Sequence, residues 1–128
     1  MTKQELLNRT KGFAIQIIHF VNEIPKNSTN NVLGNQLLRA ATSIGANYRA
    51  ACRAKSKADF IYKIKIVEEE ADECIYWLEL LEETTQYPRI SVLMKEANEL
   101  TAIFTQIGKT SKDSIEANRK SKIVNRKS

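Results

Sequence analysis

The chain is poor in the residues that turn, staple or anchor a fold. Four glycines and two prolines in 128 residues leave few places for tight turns, which argues against an all-β architecture. Two cysteines, Cys52 and Cys74, cannot build a disulfide scaffold, so a reduced, cytoplasmic chain is expected. A single histidine, His19, leaves little for zinc or triad chemistry. No run approaches ~18 consecutive apolar residues, so no membrane-spanning helix and no membrane partner are expected. The opening MTKQELLNRT has no apolar stretch followed by a small-residue cleavage site, and no secretory signal is expected from it. Glycine-rich phosphate loops, GxSxG and HExxH are all missing.

What is present is helical spacing. Phe13, Ile17, Phe20 and Ile24 step by 4, 3 and 4, until Pro25 removes an amide donor and biases Ile24 away from helical angles. His19 lies off this stripe, facing solvent or a partner. Polar residues 26–31 offer several N-caps. A second helix is predicted from about Asn31 to Arg53, with Leu33, Leu37, Ala40, Ile44, Asn47 and Ala51 on its apolar stripe and many small residues that favour tight packing. Asn47 in that stripe reads as a register-setting or association-setting polar residue.

A third helix runs from Lys57 to about Thr85. Phe60, Ile64, Val67, Ala71, Cys74, Leu78 and Leu81 keep unbroken 4,3 spacing, and Ser56 with Asp59 resembles a capping box. Ile66, Trp77 and Leu80 form a second apolar line outside that seam. A fourth helix is predicted to start near Pro88, with Ile90, Leu93, Ala97, Leu100, Phe104 and Ile107 in register. It ends at Gly108 or runs on toward Ala117. These periods and short connections predict one all-α domain over residues 1–110, an antiparallel, left-handed, up-and-down four-helix bundle. Residues 111–128 read as a basic, flexible tail.

Catalytic equipment is not legible. A di-metal carboxylate bundle needs Glu-x-x-His pairs on its helices, yet Gln16 stands three residues before His19. The acidic run Glu68–Glu70, Asp72 and Glu73 lies beside the seam, as a solvated face does. The expectation is a non-enzyme with no metal, no cofactor and no catalytic residue.

Charge is more informative. The chain carries a formal net charge of +5. From Lys109 to Ser128 seven basic residues meet two acidic ones, and residues 1–108 are balanced. That balanced body is itself polarised. Arg39, Arg49, Arg53, Lys55, Lys57, Lys63 and Lys65 face only Asp59 in their stretch, and an acidic stretch follows from Glu68 to Glu83. One reading is a solvated surface of complementary ion pairs; the other is a basic end for phosphates with an acidic flank for a partner. Because one helix ends and the next begins at the same pole, Arg49, Arg53, Lys55, Lys57 and Lys63 should gather there. Cations at a helix C-terminus are favourable in any case.

Helices two and three carry a resemblance. Gln36-Leu37-x-Arg39-x-x-Thr42-Ser43-Ile44-x-x-Asn47, then Ser56-x-x-Asp59-Phe60-Ile61, then Tyr76-Trp77-Leu78 resemble the signature of the small bacterial four helix bundle protein family. This is also called the 23S rRNA-intervening-sequence or S23-type family, and the resemblance spans about residues 10–110. It implies an antiparallel four-helix protomer that associates as a ring-like homopentamer. Residues 49–53, Arg-Ala-Ala-Cys-Arg, depart from the Glu-Gly form common in that family. Gln36, Arg39, Ser43 and Asn47 read as structural or oligomer positions, with Arg39 paired to Glu70 or Glu73, and Ile66, Trp77 and Leu80 read as core or subunit interface.

Two functions compete. The first is an oligomer that binds RNA or other structured nucleic acid through Arg49, Arg53, Lys55, Lys57 and Lys63 at the pole and Lys109, Lys112, Arg119, Lys120 and Lys122 in the tail. The second is a scaffold that docks a protein, such as a nucleic-acid enzyme, on the acidic and apolar face of helix three.

Overall fold

Each of the first three helices begins where a side-chain oxygen meets its free amides. In the structure, a computed structural model, the backbone of residues 1–127 and the side chains of residues 1–123 are described. Thr2 accepts from the Glu5 N–H and the Glu5 carboxylate accepts from the Thr2 N–H, a capping box that opens α1 (Lys3–Glu23). Asn27 accepts from the Asn30 N–H at 2.8 Å and opens α2 (Ser28–Ala51). Ser56 accepts from the Asp59 N–H at 3.1 Å and opens α3 (Lys57–Thr85). Asp59 does not return to Ser56. Its carboxylate accepts from the Lys55 N–H at 3.4 Å, so only half of the expected box forms. Ile24 is extended before Pro25, and α3 stops at Gln86, whose φ of 59° is left-handed. Three further residues, Tyr87, Pro88 and Arg89, turn the chain into α4 (Ile90–Lys127), so Pro88 lies in the turn before the helix rather than in its first turn. Among the described residues these are four α-helices and no strand.

The buried positions follow the 3,4 spacing. Phe13, Ile17 and Phe20 of α1, Ile64, Val67, Cys74, Leu78 and Leu81 of α3, and Ile90, Leu100 and Phe104 of α4 form one core. In α2 the stripe is turned from the expected one. Ala40 and Ala41 are both buried, and Tyr48, edge-on to Phe104 at 5.3 Å, enters the core. Asn47 is left half-buried on the flank, so it does not sit in the apolar seam.

Close approach between α1 and α2 depends on glycine. A Cβ on Gly34 would lie 3.2 Å from Val21 Cγ1, and one on Gly45 would lie 3.4 Å from Thr10 Oγ1. Residues 10 and 21 of α1 thus meet residues 45 and 34 of α2, and the two helices descend past each other in step. Ile64 lies beside Gly108, and Lys57 reaches Ser114, in the same reversed order. Between α1 and α4 the direct packing is thinner. There Arg9 grips Glu96 in a two-pronged pair at 2.8 and 2.6 Å and reaches Glu99 at 2.6 Å. Arg89 meets Glu23 at the other end.

The chain departs from expectation most at its end. Residues 111–127 are not loose: α4 runs past Gly108, past Ala117 and on to Lys127. The side chains of Arg126 and Lys127, and all of Ser128, which the tail reading included, lie outside the described residues. Among the described residues, no helix is long and apolar enough to cross a membrane.

Phe104 is fully buried and its ring supports Tyr48. Phe104→Ala should cost about 3–5 kcal/mol, read as a lower urea midpoint at unchanged m-value.

Candidate nucleic-acid interface

The connection Cys52–Ser56 is short, and the Arg39–Glu73 pair places α3 back alongside α2. The end of α2 and the start of α3 therefore share one pole. Arg49, Arg53, Lys55 and Lys63, with Asp59, line an open groove of about 380 Å³ there. Lys63 is neutralised in place: its Nζ lies 2.7 and 2.8 Å from the two Asp59 oxygens. The hydrogen bond from Lys63 holds the Asp59 carboxyl below its ordinary range. Arg49, Arg53 and Lys55 have no ion-pair partner among the described residues.

Lys57 points elsewhere. Its Nζ donates to Ser114 Oγ at 2.6 Å, which fixes the level at which α4 passes the pole. Beyond Ser114, α4 continues for thirteen residues to Lys127, about 20 Å at 1.5 Å per residue. Every residue from Glu116 to Ile123 is exposed. Arg119, Lys120 and Lys122 ride on this overhang, with Arg119 3.7 Å from Glu116. Lys109 and Lys112 line a different groove, between α3 and α4, where Glu68 and Asp113 dilute their charge. The ten cations read from the sequence thus divide into a pole, an arm and a mixed lateral groove.

A second feature runs along the outer flank of α2 and α3. Arg39 Nη2 lies 3.6 Å from Glu73 Oε1, and Trp77 Nε1 donates to the same oxygen at 3.1 Å. Ser43 donates to the Arg39 carbonyl and Asn47 to the Ser43 carbonyl. Gln36, Ile66 and Leu80 are half-buried along this flank. Glu70 is the odd member: its Oε2 is buried and has no hydrogen-bond partner. Burial pushes the Glu70 carboxyl above its ordinary range, Glu73 adds to that, and Arg39 opposes it.

The two thiols differ. Burial raises Cys74 far above the ordinary thiol range, which leaves it inert. Cys52 is half-buried beside Tyr48, whose hydroxyl is pushed up to about 12 by burial and by its hydrogen bond with Cys52. Among the described residues, no three His, Cys, Asp or Glu side chains gather as a metal-ligand set, and His19 is exposed.

The sequence matches the family described as 23S rRNA-intervening sequence protein over residues 2–111. The chain belongs to the 23S rRNA-intervening sequence protein family. It is also similar to a crystal structure of a protein of unknown function from the S23 ribosomal protein family of Bacteroides thetaiotaomicron. The two share 34% identity at a TM-score of 0.77, over 85% of this chain and 99% of that one. No curated protein matches the chain. The whole α4 overhang beyond Ser114 lies outside the segment matched to the 23S rRNA-intervening sequence family.

Sequence reading missed two cations. Lys3 and Lys11 join Arg49 and Arg53 along a groove of about 700 Å³ between α1 and α2. No spacing rule links residue 3 to residue 53; only the fold does. Arg9, the clamp on α4, was missed for the same reason.

Glu70 supplies a pH prediction. Its folded-state value is raised, so its contribution to stability is present in full below the ordinary glutamate range and lost as pH rises through the folded value. At pH 7 the buried carboxylate is a liability. Glu70→Gln should raise the melting midpoint by a few degrees at pH 7 and leave it nearly unchanged near pH 4, measured by thermal denaturation across that range.

Proposed function

We propose that this member of the 23S rRNA-intervening sequence protein family is a non-catalytic, cytoplasmic RNA-binding oligomer. Its protomer is an antiparallel, left-handed, up-and-down bundle, and its copies form a ring-like homopentamer. It holds RNA, or other structured nucleic acid, by neutralising phosphates with the basic pole and the α4 arm. One observation carries the reading. Cations from four separate stretches lie at one end: Arg49 near the end of α2, Arg53 and Lys55 in the connection, Lys57 at the start of α3, and Arg119, Lys120 and Lys122 on α4 beyond the level of Lys57. Helix-end preference accounts for Arg49 and Arg53, but not for a cation at the start of α3 or for a basic arm.

The flank of Arg39, Ser43, Asn47, Ile66, Glu70, Glu73, Trp77 and Leu80 is the association face in this reading. Its support is the half-buried Ile66 and Leu80 beside Trp77, which packs at the edge of the core, and a buried Glu70 oxygen without a hydrogen-bond partner among the described residues. Assembly multiplies individually weak basic patches into one multivalent surface.

Binding should fall with salt. If about five phosphates are neutralised, log K against log salt has a slope of roughly −3.5 for a single strand to −4.5 for a duplex. Substituting Arg53, Lys55, Lys120 and Lys122 together with Gln should flatten that slope in full-length protein. A slope near zero for the unaltered protein would sink the reading and leave a protein-docking scaffold in its place. Light scattering should return about five times the 14.6 kDa protomer.

A further inference from the structure

The groove between α1 and α2 is chemically unlike the others. Lys3, Lys11, Arg49 and Arg53 line it, and no aspartate or glutamate does. None of the four has an ion-pair partner among the described residues. Its floor is low because Gly45 and Ala46 stand where larger side chains would fill it.

Register fixes the order of the charges. Thr10 meets Gly45 and Val21 meets Gly34, so each step up α1 is one step down α2. Lys3 is therefore level with Cys52 and Arg53, and Lys11 with Ile44. Lys3 and Lys11 are eight residues apart, about 12 Å along the helix. The groove opens at the pole already assigned to phosphates, because Arg49 and Arg53 line both it and the pole's own groove.

The shape selects the polyanion. Packed helices lie about 8–10 Å apart, so the furrow between them admits one strand and is too narrow for a duplex. No aromatic ring lines the groove, so no base can stack there and the contacts fall on the backbone. We infer that the α1–α2 groove is a channel for single-stranded nucleic acid that starts beside the pole at Lys3 and carries the strand on to Lys11, with both lysines neutralising phosphates of the strand in the groove. The inference rests on the phosphate-binding reading above and extends it to a strand form and to two residues on α1.

The test uses full-length protein, a 12-nucleotide oligo(U) and a 12-base-pair RNA duplex. In K3Q/K11Q, both changes are at exposed helical positions. The salt slope for oligo(U) should be shallower by about 1.4, two phosphates at 0.7 each, and the slope for the duplex should not change. Cys52 supplies a second readout, since it lines the groove and Cys74 is buried. Iodoacetamide should alkylate Cys52 in the free protein, and saturating oligo(U) should slow the reaction to the rate set by the unbound fraction.

An unchanged oligo(U) slope in K3Q/K11Q, while the unaltered protein keeps its salt dependence, overturns the channel and leaves the pole standing. Equal slope losses for strand and duplex also overturn it. So does a Cys52 alkylated at the same rate with and without saturating oligo(U). Protection of Cys52 by poly-glutamate but not by oligo(U) would reassign the groove to an acidic protein segment. A flat slope for both RNAs in the unaltered protein removes the underlying reading as well.

Discussion

The connection Cys52–Ser56 constrains the pole where α2 ends and α3 begins. Five residues reach at most about 17 Å, so those two helix ends stay together, and the Arg39–Glu73 pair places α3 back alongside α2. Ala40, Ala41 and Ala51 of α2 are buried in the same core as Ile64, Val67 and Leu78 of α3, and such small side chains permit close helix packing. The reversal also forces two basic stretches together. Arg49 sits at a helix C-terminus, where the dipole favours it, but Lys57 sits at a helix N-terminus, where the dipole does not. The repulsion is relieved locally by Asp59, which holds Lys63 and accepts from the Lys55 amide. It is not relieved at Arg53 or Lys55. Those two cations have no ion-pair partner among the described residues, and the phosphate-binding proposal rests on them.

The large apolar residues made most of the fold legible in advance. In α1, α3 and α4 the 3,4 spacing of Phe, Ile and Leu coincides with the buried positions, and α3 begins and ends at the expected residues. In α2 Leu37, Ala40, Ile44 and Ala51 are buried as expected, but Leu33 and Asn47 give way to their neighbours Gly34 and Tyr48. Its stripe is made of alanines, and Ala40 and Ala41 are both small enough to be buried, so spacing could not decide between Asn47 and Tyr48. The structure decides through Phe104, whose ring receives the Tyr48 edge. Gly108 left the end of α4 open, because a glycine near the end of a periodic segment can stop a helix or be passed through, and here the helix continues. The pole was legible because its residues are neighbours in sequence. The α1 side of the groove was not, because Lys3 and Lys11 become neighbours of Arg53 and Arg49 only through the Thr10–Gly45 register.

The two outer flanks of α2 carry different chemistry, and this separates assembly from binding. Thr42, Gly45, Arg49 and Arg53 face α1 and line the basic furrow. Arg39, Ser43 and Asn47 run along the other flank, where Arg39 meets the carboxylate of Glu73 and the Ser43 and Asn47 side chains answer α2's own carbonyls. A contact that covers the Ile66, Glu70 and Trp77 line leaves the furrow open. In a cyclic assembly with the bundle axes along the symmetry axis, every basic pole falls on the same face of the ring. Five poles with five α4 arms would then present one continuous cationic rim. The balanced charge of residues 1–108 keeps the bodies from repelling one another while the excess collects at the rim and arms. In the proposed reading, altering the Arg39–Glu73 pair acts on assembly and altering Lys3 or Arg53 acts on polyanion affinity, because the two sets line different flanks.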